Sequence, residues 1–302
     1  MKGSRSVVTG GAGFIGSNLV DHLVKIGHKV IVLDNFVSGK KTNLTHHKKK
    51  DVKIIRTDIS KSKNLDKYFK RVDYVFHLAG LVEITPSIKN PKKYFNTNVI
   101  GTLNVVEAAK RVGVKKLIYA ASCSCYGSPK NFPTSENEKI DIQHPYGLTK
   151  FLGEELVLKY ATIFNMPNIS FRFFNVYGPR QNILGQYSAV FGSFLRQKRA
   201  NKPLTIVGDG KQTRDFIHVE DLTNAFIKAA KSSLVNKIYN LGSGKEISIN
   251  KIANLFGGKK TFIPKRPREP KRSLANISKI KKDINWKPTI TIQEGIKRLL
   301  KN

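Results

Sequence analysis

The sequence predicts an α/β fold, with a doubly wound parallel sheet and a smaller mixed α/β lobe. Three observations carry this. Short apolar runs alternate with helix-period segments through the first half of the chain. A glycine-rich turn, T-G-G-A-G-F-I-G, joins the first run to the first helical segment. The second half loses that regularity, with Gly-, Pro- and Asn-rich loops around Gly178–Gln186 and Gly208–Gln212.

The elements follow in order. Apolar runs at Ser6–Thr9, Lys29–Leu33, Lys53–Ile55, Tyr74–Leu78 and Lys116–Ala120 predict five strands, and Ile169–Phe173 a sixth. Helical patterns occupy Phe14–Ile26 and Lys92–Val112. A third helix begins near Pro145, whose fixed φ suits a first turn, with Leu148, Leu152, Leu156 and Ile163 as its apolar face. Further on, Val219–Ala230 reads as a helix and Ile238–Gly244 as a strand returning to the first sheet. Ser248–Phe256 is another helix, Pro264–Arg272 a basic Pro-rich segment, and a last helix runs from about Ile292.

Bulk properties bound the function. A chain of 302 residues with 40% hydrophobic content buries a core without disulfides or metal staples. Cys123 and Cys125 are too few for a zinc site and too close for a disulfide framework, so they read as small residues in a reducing compartment. No signal-peptide pattern precedes the first strand and no apolar run approaches a membrane span, so a cytoplasmic protein with no membrane contact is expected. The net charge of +33 invites a nucleic-acid reading. The basic residues are scattered, however, and the one tight cluster, Lys48–Lys50 beside His46 and His47, lacks interleaved aromatics. Nucleic acid is therefore not the expected partner; the positive potential draws in polyanionic nucleotides instead.

Gly10, Gly13 and Gly16 form G-x-x-G-x-x-G between a strand and a helix, the context that gives this pattern meaning. The turn lets backbone approach a pyrophosphate, and the helix starting at Phe14 and Ile15 points its amides at the phosphates. Asp34, eighteen residues after Gly16, ends the second strand where a carboxylate meets the adenosine ribose. It would repel a 2′-phosphate, which favours NAD over NADP. Asn35, Ser38 and Gly39 continue this side, and Asp58 with Ile59 follows the third strand at the adenine edge. Leu78, Ala79 and Gly80 at the next strand end offer small, backbone-rich contacts. This makes the fold Rossmann-type: an NAD-binding domain over 1–175, with 219–243 returning to it, interleaved with a substrate lobe over 176–302.

Tyr146 and Lys150 lie four residues apart on the Pro145 helix, hence on one side of it. An ammonium near a phenol favours the phenolate, which makes the tyrosine a usable base near neutral pH. Tyr126 and Lys130 repeat the spacing, but Pro129 breaks any helical turn between them, so Tyr126 reads as a loop residue. Ser122 ends the fifth strand, where its hydroxyl can reach Tyr146 or a reacting substrate oxygen.

With TGGAGFIG, HLAG, YGLTK, RFFNVYGPRQ, GDGKQTRDFIHVEDL and SLANISKIKKDINWKP in this order, nearly the whole chain resembles an extended short-chain dehydrogenase/reductase of the NAD-dependent epimerase/dehydratase family. The UDP-glucose and UDP-N-acetylglucosamine 4-epimerases are the most similar group. The resemblance implies Ser122, Tyr146 and Lys150 as the catalytic trio, Asn98 as support for the hydrogen-bond network, and Phe174 as a nicotinamide neighbour. It implies Asn175, Arg214 and Arg266 as diphosphate contacts, Glu269 as a ribose contact, and Val190 and Leu204 as further substrate contacts. Ser273 aligns with the position that gates sugar size. Two departures stand out: Arg268 replaces a glycine of the family's R-x-G-[DE] segment, and Cys123 and Ser124 stand where dehydratases and decarboxylases carry acids. Without a carboxyl acid there, epimerisation at C4 of a UDP-hexose through a 4-ketosugar is favoured. A UDP-glucuronate 4-epimerase, another nucleotide-sugar oxidoreductase and a non-enzymatic NAD-binding regulator are the other readings. The resemblance also implies a homodimer built on the helices near Lys92–Val112 and Tyr146–Phe164.

Overall fold

The computed structural model describes residues 3–62, 64–183, 190–265 and 270–301. The strands are β1 (Arg5–Thr9), β2 (Lys29–Asp34), β3 (Val52–Arg56), β4 (Tyr74–His77), β5 (Lys116–Ser122), β6 (Asn168–Phe173), β7 (Asn175–Tyr177), β8 (Leu204–Val207), β9 (Thr213–His218), β10 (Lys237–Leu241), β11 (Glu246–Ser248) and β12 (Lys260–Ile263). The six strands expected in the first half are all present within a residue or two, and the return strand is β10. A seven-stranded sheet runs β10-β6-β5-β4-β1-β2-β3, and β1 pairs in parallel with both β2 and β4. The chain order therefore reverses at β1. In an open parallel sheet, the crevice beyond the carboxyl ends at such a reversal is where ligands bind. Thr9 and His77 end the two strands that flank it.

The chain divides into two compact units. The first comprises Met1–Gly127, Ile140–Phe173 and Thr223–Tyr239; the second comprises Ser128–Lys139, Phe174–Leu222 and Asn240–Asn302. The sheet-covering core of the first unit includes Val7, Leu33, Val75, Val105, Leu117 and Val157. Strands this apolar on both faces belong to a sheet covered on both sides. The second unit holds a three-stranded sheet, β11-β9-β7, and the parallel pair β12-β8. Phe191, Phe194, Ile206, Phe216 and Phe256 fill its core.

Two helical expectations need correction. The segment expected as one helix over Lys92–Val112 is Pro91–Phe95, a π-helical turn at Asn96–Ile100, and Gly101–Val112. One extra residue per turn there changes which side chains face the sheet, a device that recurs at functional sites. The Pro145–Phe164 helix buries its expected apolar face only in part: Leu148, Leu152 and Leu156 are half-buried, with Leu156 packed against the core. Its buried positions are Gly147, Thr149, Lys150, Gly153, Glu154 and Val157, while Ile163 is 64% exposed. The helix turns its polar, reactive stripe inward because those groups find partners there.

Two buried imidazoles make stability pH-dependent. Burial lowers His28 to about 4 and His77 to about 3. Both therefore bind a proton more readily in the unfolded chain. Their contribution is complete above pH 6.5 and is lost as pH falls through that value toward the folded pKa. By pH 4 each has given up about 3 kcal/mol. Urea unfolding between pH 7 and pH 4 reads this loss, and His77→Gln shows the shallower slope.

Candidate active site

The glycine turn closes against the neighbouring strand. Gly10 has φ +68°, and a Cβ there would stand 2.8 Å from the Ala79 amide nitrogen. A Cβ on Gly16 would lie 2.1 Å from the Gly10 carbonyl oxygen. Only glycine lets the turn, the helix and Ala79 pack this closely. The helix Phe14–Lys25 starts at Gly13, which supplies no side-chain cap, and has no acidic residue in its first turn. Its leading amides, at Phe14, Ile15 and Gly16, are the arrangement that holds an anion.

Asp34 is buried beside this turn. Its Oδ2 accepts from the Ala12 amide at 2.9 Å and its Oδ1 from the Phe36 amide at 2.8 Å. A carboxylate with two such bonds keeps lone pairs for the two hydroxyls of a ribose. Gly39 packs on this carboxylate, and Ser38 beside it is exposed. Asn35 donates to Asp58 at 3.4 Å, and Asp58 also accepts from the amide and hydroxyl of Ser60. Those bonds hold the Asp58 carboxyl below its ordinary range against an opposing desolvation. The Ile59 side chain is taken into the core and its carbonyl accepts from Asn104.

A buried hydrogen-bond chain runs beneath the turn. The Ala79 amide donates to Thr9 Oγ1, which bonds His77 Nδ1 at 2.7 Å; His77 Nε2 bonds Thr102 Oγ1 at 2.9 Å. Thr102 spends its own proton on the Asn98 carbonyl. His77 must therefore donate from Nε2 and accept at Nδ1, the neutral form that its low pKa maintains. Asn98 sits in the π-helical turn and is fully engaged. Its Oδ1 accepts from the Leu81 amide at 2.8 Å, and its Nδ2 donates to the Leu81 carbonyl and to Thr149 Oγ1. It pins the segment after Leu78–Gly80 to the helix that carries Tyr146.

That helix begins on His144, whose Nδ1 accepts from the Gly147 amide, with Pro145 in the first turn. The His144 ring stacks against Tyr146 at 5.8 Å between centroids. Tyr146 donates to Ser122 Oγ at 3.1 Å, Ser122 donates to Ser124 Oγ at 3.0 Å, and the Ser124 amide donates back to Ser122. Burial pushes the phenol up to about 12, opposed by the bond to Ser122. Lys150 lies one turn on, buried, with its Nζ 4.4 Å from the centre of the Tyr119 ring. A Cβ built on Gly80 would stand 3.1 Å from Asn98 Oδ1 and 3.8 Å from Lys150 Nζ, so these three residues share one pocket wall. Burial lowers Lys150 to about 7, and the charge of Glu154 opposes the fall. At neutral pH this amine exchanges its proton readily.

Beneath the trio lies an ion pair that the sequence reading did not single out. Arg172 and Glu154 are both almost wholly buried and bond through Nε at 3.0 Å and Nη2 at 2.6 Å. Ser170 donates to the same carboxylate, and Arg172 also donates to Tyr126 Oη at 2.9 Å. Tyr126 is thus no simple loop residue: it is 2% exposed and anchors the 3₁₀ turn that follows Ser122.

The expected substrate contacts fall in the second unit. Phe174 is buried, Asn175 donates to the Asp215 carbonyl, and Arg214 extends from β9 with Nη1 on the Thr213 carbonyl. Val190 opens the helix Val190–Arg199, and Ser273 is half-buried. Leu204 is 1% exposed within the apolar core, which leaves its side chain little to offer a ligand. Arg266, Arg268 and Glu269 lie outside the described residues. Asp215 accepts from Ser243, Gly244 and Ala275, fixing the segment next to Ser273. Lys211, Lys265 and Lys271 line a basic groove within this unit. Among the described residues, no helix is long and apolar enough to cross a membrane.

The model of the NAD dependent epimerase/dehydratase family matches residues 6–242. UDP-N-acetylglucosamine 4-epimerase from Methanobrevibacter ruminantium, solved with UDP-N-acetylmuramic acid, is 34% identical with a TM-score of 0.95, covering 100% of this chain and 98% of that one. UDP-glucose 4-epimerase from Thermus thermophilus, solved with NAD, is 31% identical with a TM-score of 0.89, covering 98% of each chain. UDP-glucuronic acid decarboxylase 2 of Arabidopsis thaliana is 34% identical over 313 residues, covering 100% of this chain and 68% of the relative. With the family model spanning the glycine turn, the Tyr146 helix and most of the remaining chain, this protein belongs to the NAD dependent epimerase/dehydratase family.

Proposed function

We propose that the chain interconverts the C4 epimers of UDP-hexoses, acting on UDP-glucose/UDP-galactose and on the N-acetyl pair. The observation that carries this reading is the bond from Tyr146 to Ser122, with Lys150 one helical turn away and no carboxyl group in the relay. Ser124 occupies the place where an acid would serve water elimination or decarboxylation, and its hydroxyl is bonded to Ser122. A hydroxyl relay moves a proton to and from a sugar oxygen but lacks the acidity to expel water.

In this reading Tyr146 Oη takes the proton of the sugar 4-hydroxyl, and Ser122 Oγ steadies the same oxygen. Lys150, as the ammonium, lowers the cost of the phenolate. The glycine turn, Asp34 and Asp58 hold the adenosine and pyrophosphate of NAD, while Asn98 fixes the wall formed by Gly80. When bound, NAD would supply the acceptor of the C4 hydride and its donor on return. The 4-ketosugar stays anchored by its UDP through Asn175, Arg214 and Arg266 and turns over; its oxygen takes back the proton from Tyr146 as C4 takes back the hydride on its opposite face. Proton NMR of protein mixed with UDP-GlcNAc, with no NAD added, tests this. The anomeric signal of UDP-GalNAc is expected; absence of product from both UDP-GlcNAc and UDP-glucose, even with NAD supplied, rejects it.

Ser273 stands at the position that the resemblance assigns to gating sugar size, where a large aromatic would crowd an N-acetyl group. Ser273→Tyr is expected to cut turnover of UDP-GlcNAc by about tenfold or more while sparing UDP-glucose, read from parallel kcat/KM values. The protein pairs with a second copy through the outer faces of its helices. Ile88, Ile100, Ile163 and Phe164 are between 44% and 64% exposed there, a costly display for a lone chain. Ile163→Lys with Phe164→Glu is expected to give a monomer by sedimentation, where the parent is a dimer.

A further inference from the structure

We propose that Asp21, His46 and His47 form a site for one transition-metal cation of the Zn²⁺ class, clamping the first helix to the β2–β3 connection. The two imidazoles are adjacent in sequence, yet both aim Nε2 at one carboxylate oxygen. His46 Nε2 is 2.9 Å from Asp21 Oδ1 and His47 Nε2 is 2.8 Å from it. The three donor atoms lie within 4.8 Å of one another. A tetrahedral zinc ion places its ligands roughly 3.3 Å apart, so a small spreading of the cluster admits the ion.

The site is held in place from both sides. Asp21 stands on the helix Phe14–Lys25. The His47 amide donates to the Leu44 carbonyl, which closes the turn Lys41–Leu44. Asn43 Nδ2 and the Lys40 amide both donate to the Ala12 carbonyl, so the connection is already tied to the glycine turn. The His47 side chain is 8% exposed and that of His46 is 56% exposed. One ligand is thus fixed within the fold, and the other faces solvent and leaves a path for the ion and a fourth, water ligand.

The donor set selects the class of cation. Two imidazoles and a single carboxylate suit zinc and its neighbours; calcium and magnesium require oxygen ligands in larger number. Lys48–Lys50 follow directly and repel any cation held by charge alone. Only a metal that bonds to nitrogen overcomes that field. The ion also resolves a crowded arrangement in which two ring N–H groups share one oxygen with their centroids 4.0 Å apart.

The test uses the tag-free full-length chain, stripped with chelator, and Zn²⁺ alone as probe. Calorimetric titration at pH 7.5 is expected to show one ion bound per chain. At a hundredfold excess over Kd, Tm should rise by about 5 °C. Asp21→Asn and His46→Gln, both partly exposed and compatible with folding, should each lose the high-affinity event and the Tm shift while keeping the parent's circular dichroism. No saturable binding in the parent overturns the proposal. So does binding that survives in both variants, since it would place the ion elsewhere.

Discussion

Tyr146→Phe is expected to lower kcat for UDP-sugar interconversion by about 10²- to 10⁴-fold, with KM little changed. The ring remains to stack on His144, so the fold and the nucleotide cradle persist; only the proton carrier is lost. Ser122→Ala is expected to lose less, because Ser122 steadies the oxygen that Tyr146 serves. Stopped-flow or endpoint NMR rates for the two variants, alongside matched melting curves, check the ranking. Equal losses, or a Tyr146→Phe enzyme near full activity, would remove Tyr146 from the centre of the account.

The second large effect is expected at Glu154. Glu154→Gln leaves the Arg172 guanidinium buried without its counter-charge, at a cost of about 3–5 kcal/mol. The same change removes the negative charge that favours protonated Lys150. Burial has already brought Lys150 to about 7. Its pKa falls further in the variant, so the alkaline limb of kcat against pH moves to lower pH. Arg172→Met has the opposite sign on Lys150, since it leaves Glu154 unneutralised, yet it destabilises to a similar degree. Replacing both residues with apolar side chains of similar volume, Glu154→Met with Arg172→Met, recovers much of the lost stability, because such a pair carries no desolvation penalty. Urea unfolding together with pH–rate profiles separates the two roles. A purely structural Glu154 would change stability and leave the pH limb where it was.

Much of this is legible in the residues. Short apolar runs mark the strands of the large sheet because a covered parallel sheet must be apolar on both faces. The glycine spacing marks the turn because Gly10 and Gly16 tolerate no Cβ. The four-residue step from Tyr146 to Lys150 marks one side of a helix. Groups whose role depends on a distant partner are not legible. Glu154 and Arg172 are eighteen positions apart, and either alone reads as one more surface charge. His77 lies inside HLAG, but its tautomer is set by Thr9 and Thr102 from two other elements. The leucines of the Tyr146 helix mark a face that is only half-buried, and its fully buried positions include Thr149, Lys150 and Glu154, whose partners lie on other elements. The π-helical turn at Asn96–Ile100 has no local sequence signal, because the partners of its Asn98 side chain, Leu81 and Thr149, lie far away in the chain. In the second unit the strands are only three to six residues long, too short for a periodic pattern to declare itself.

The central claim is that hydrogen leaves C4 of a bound UDP-sugar and comes back to the same carbon on the other face. It is tested most directly with UDP-GlcNAc deuterated at C4, incubated in ordinary water and followed by NMR and mass spectrometry. The account predicts UDP-GalNAc that keeps its deuterium at C4. Product that has exchanged the label for solvent hydrogen, or a dehydrated or decarboxylated product in its place, would contradict it.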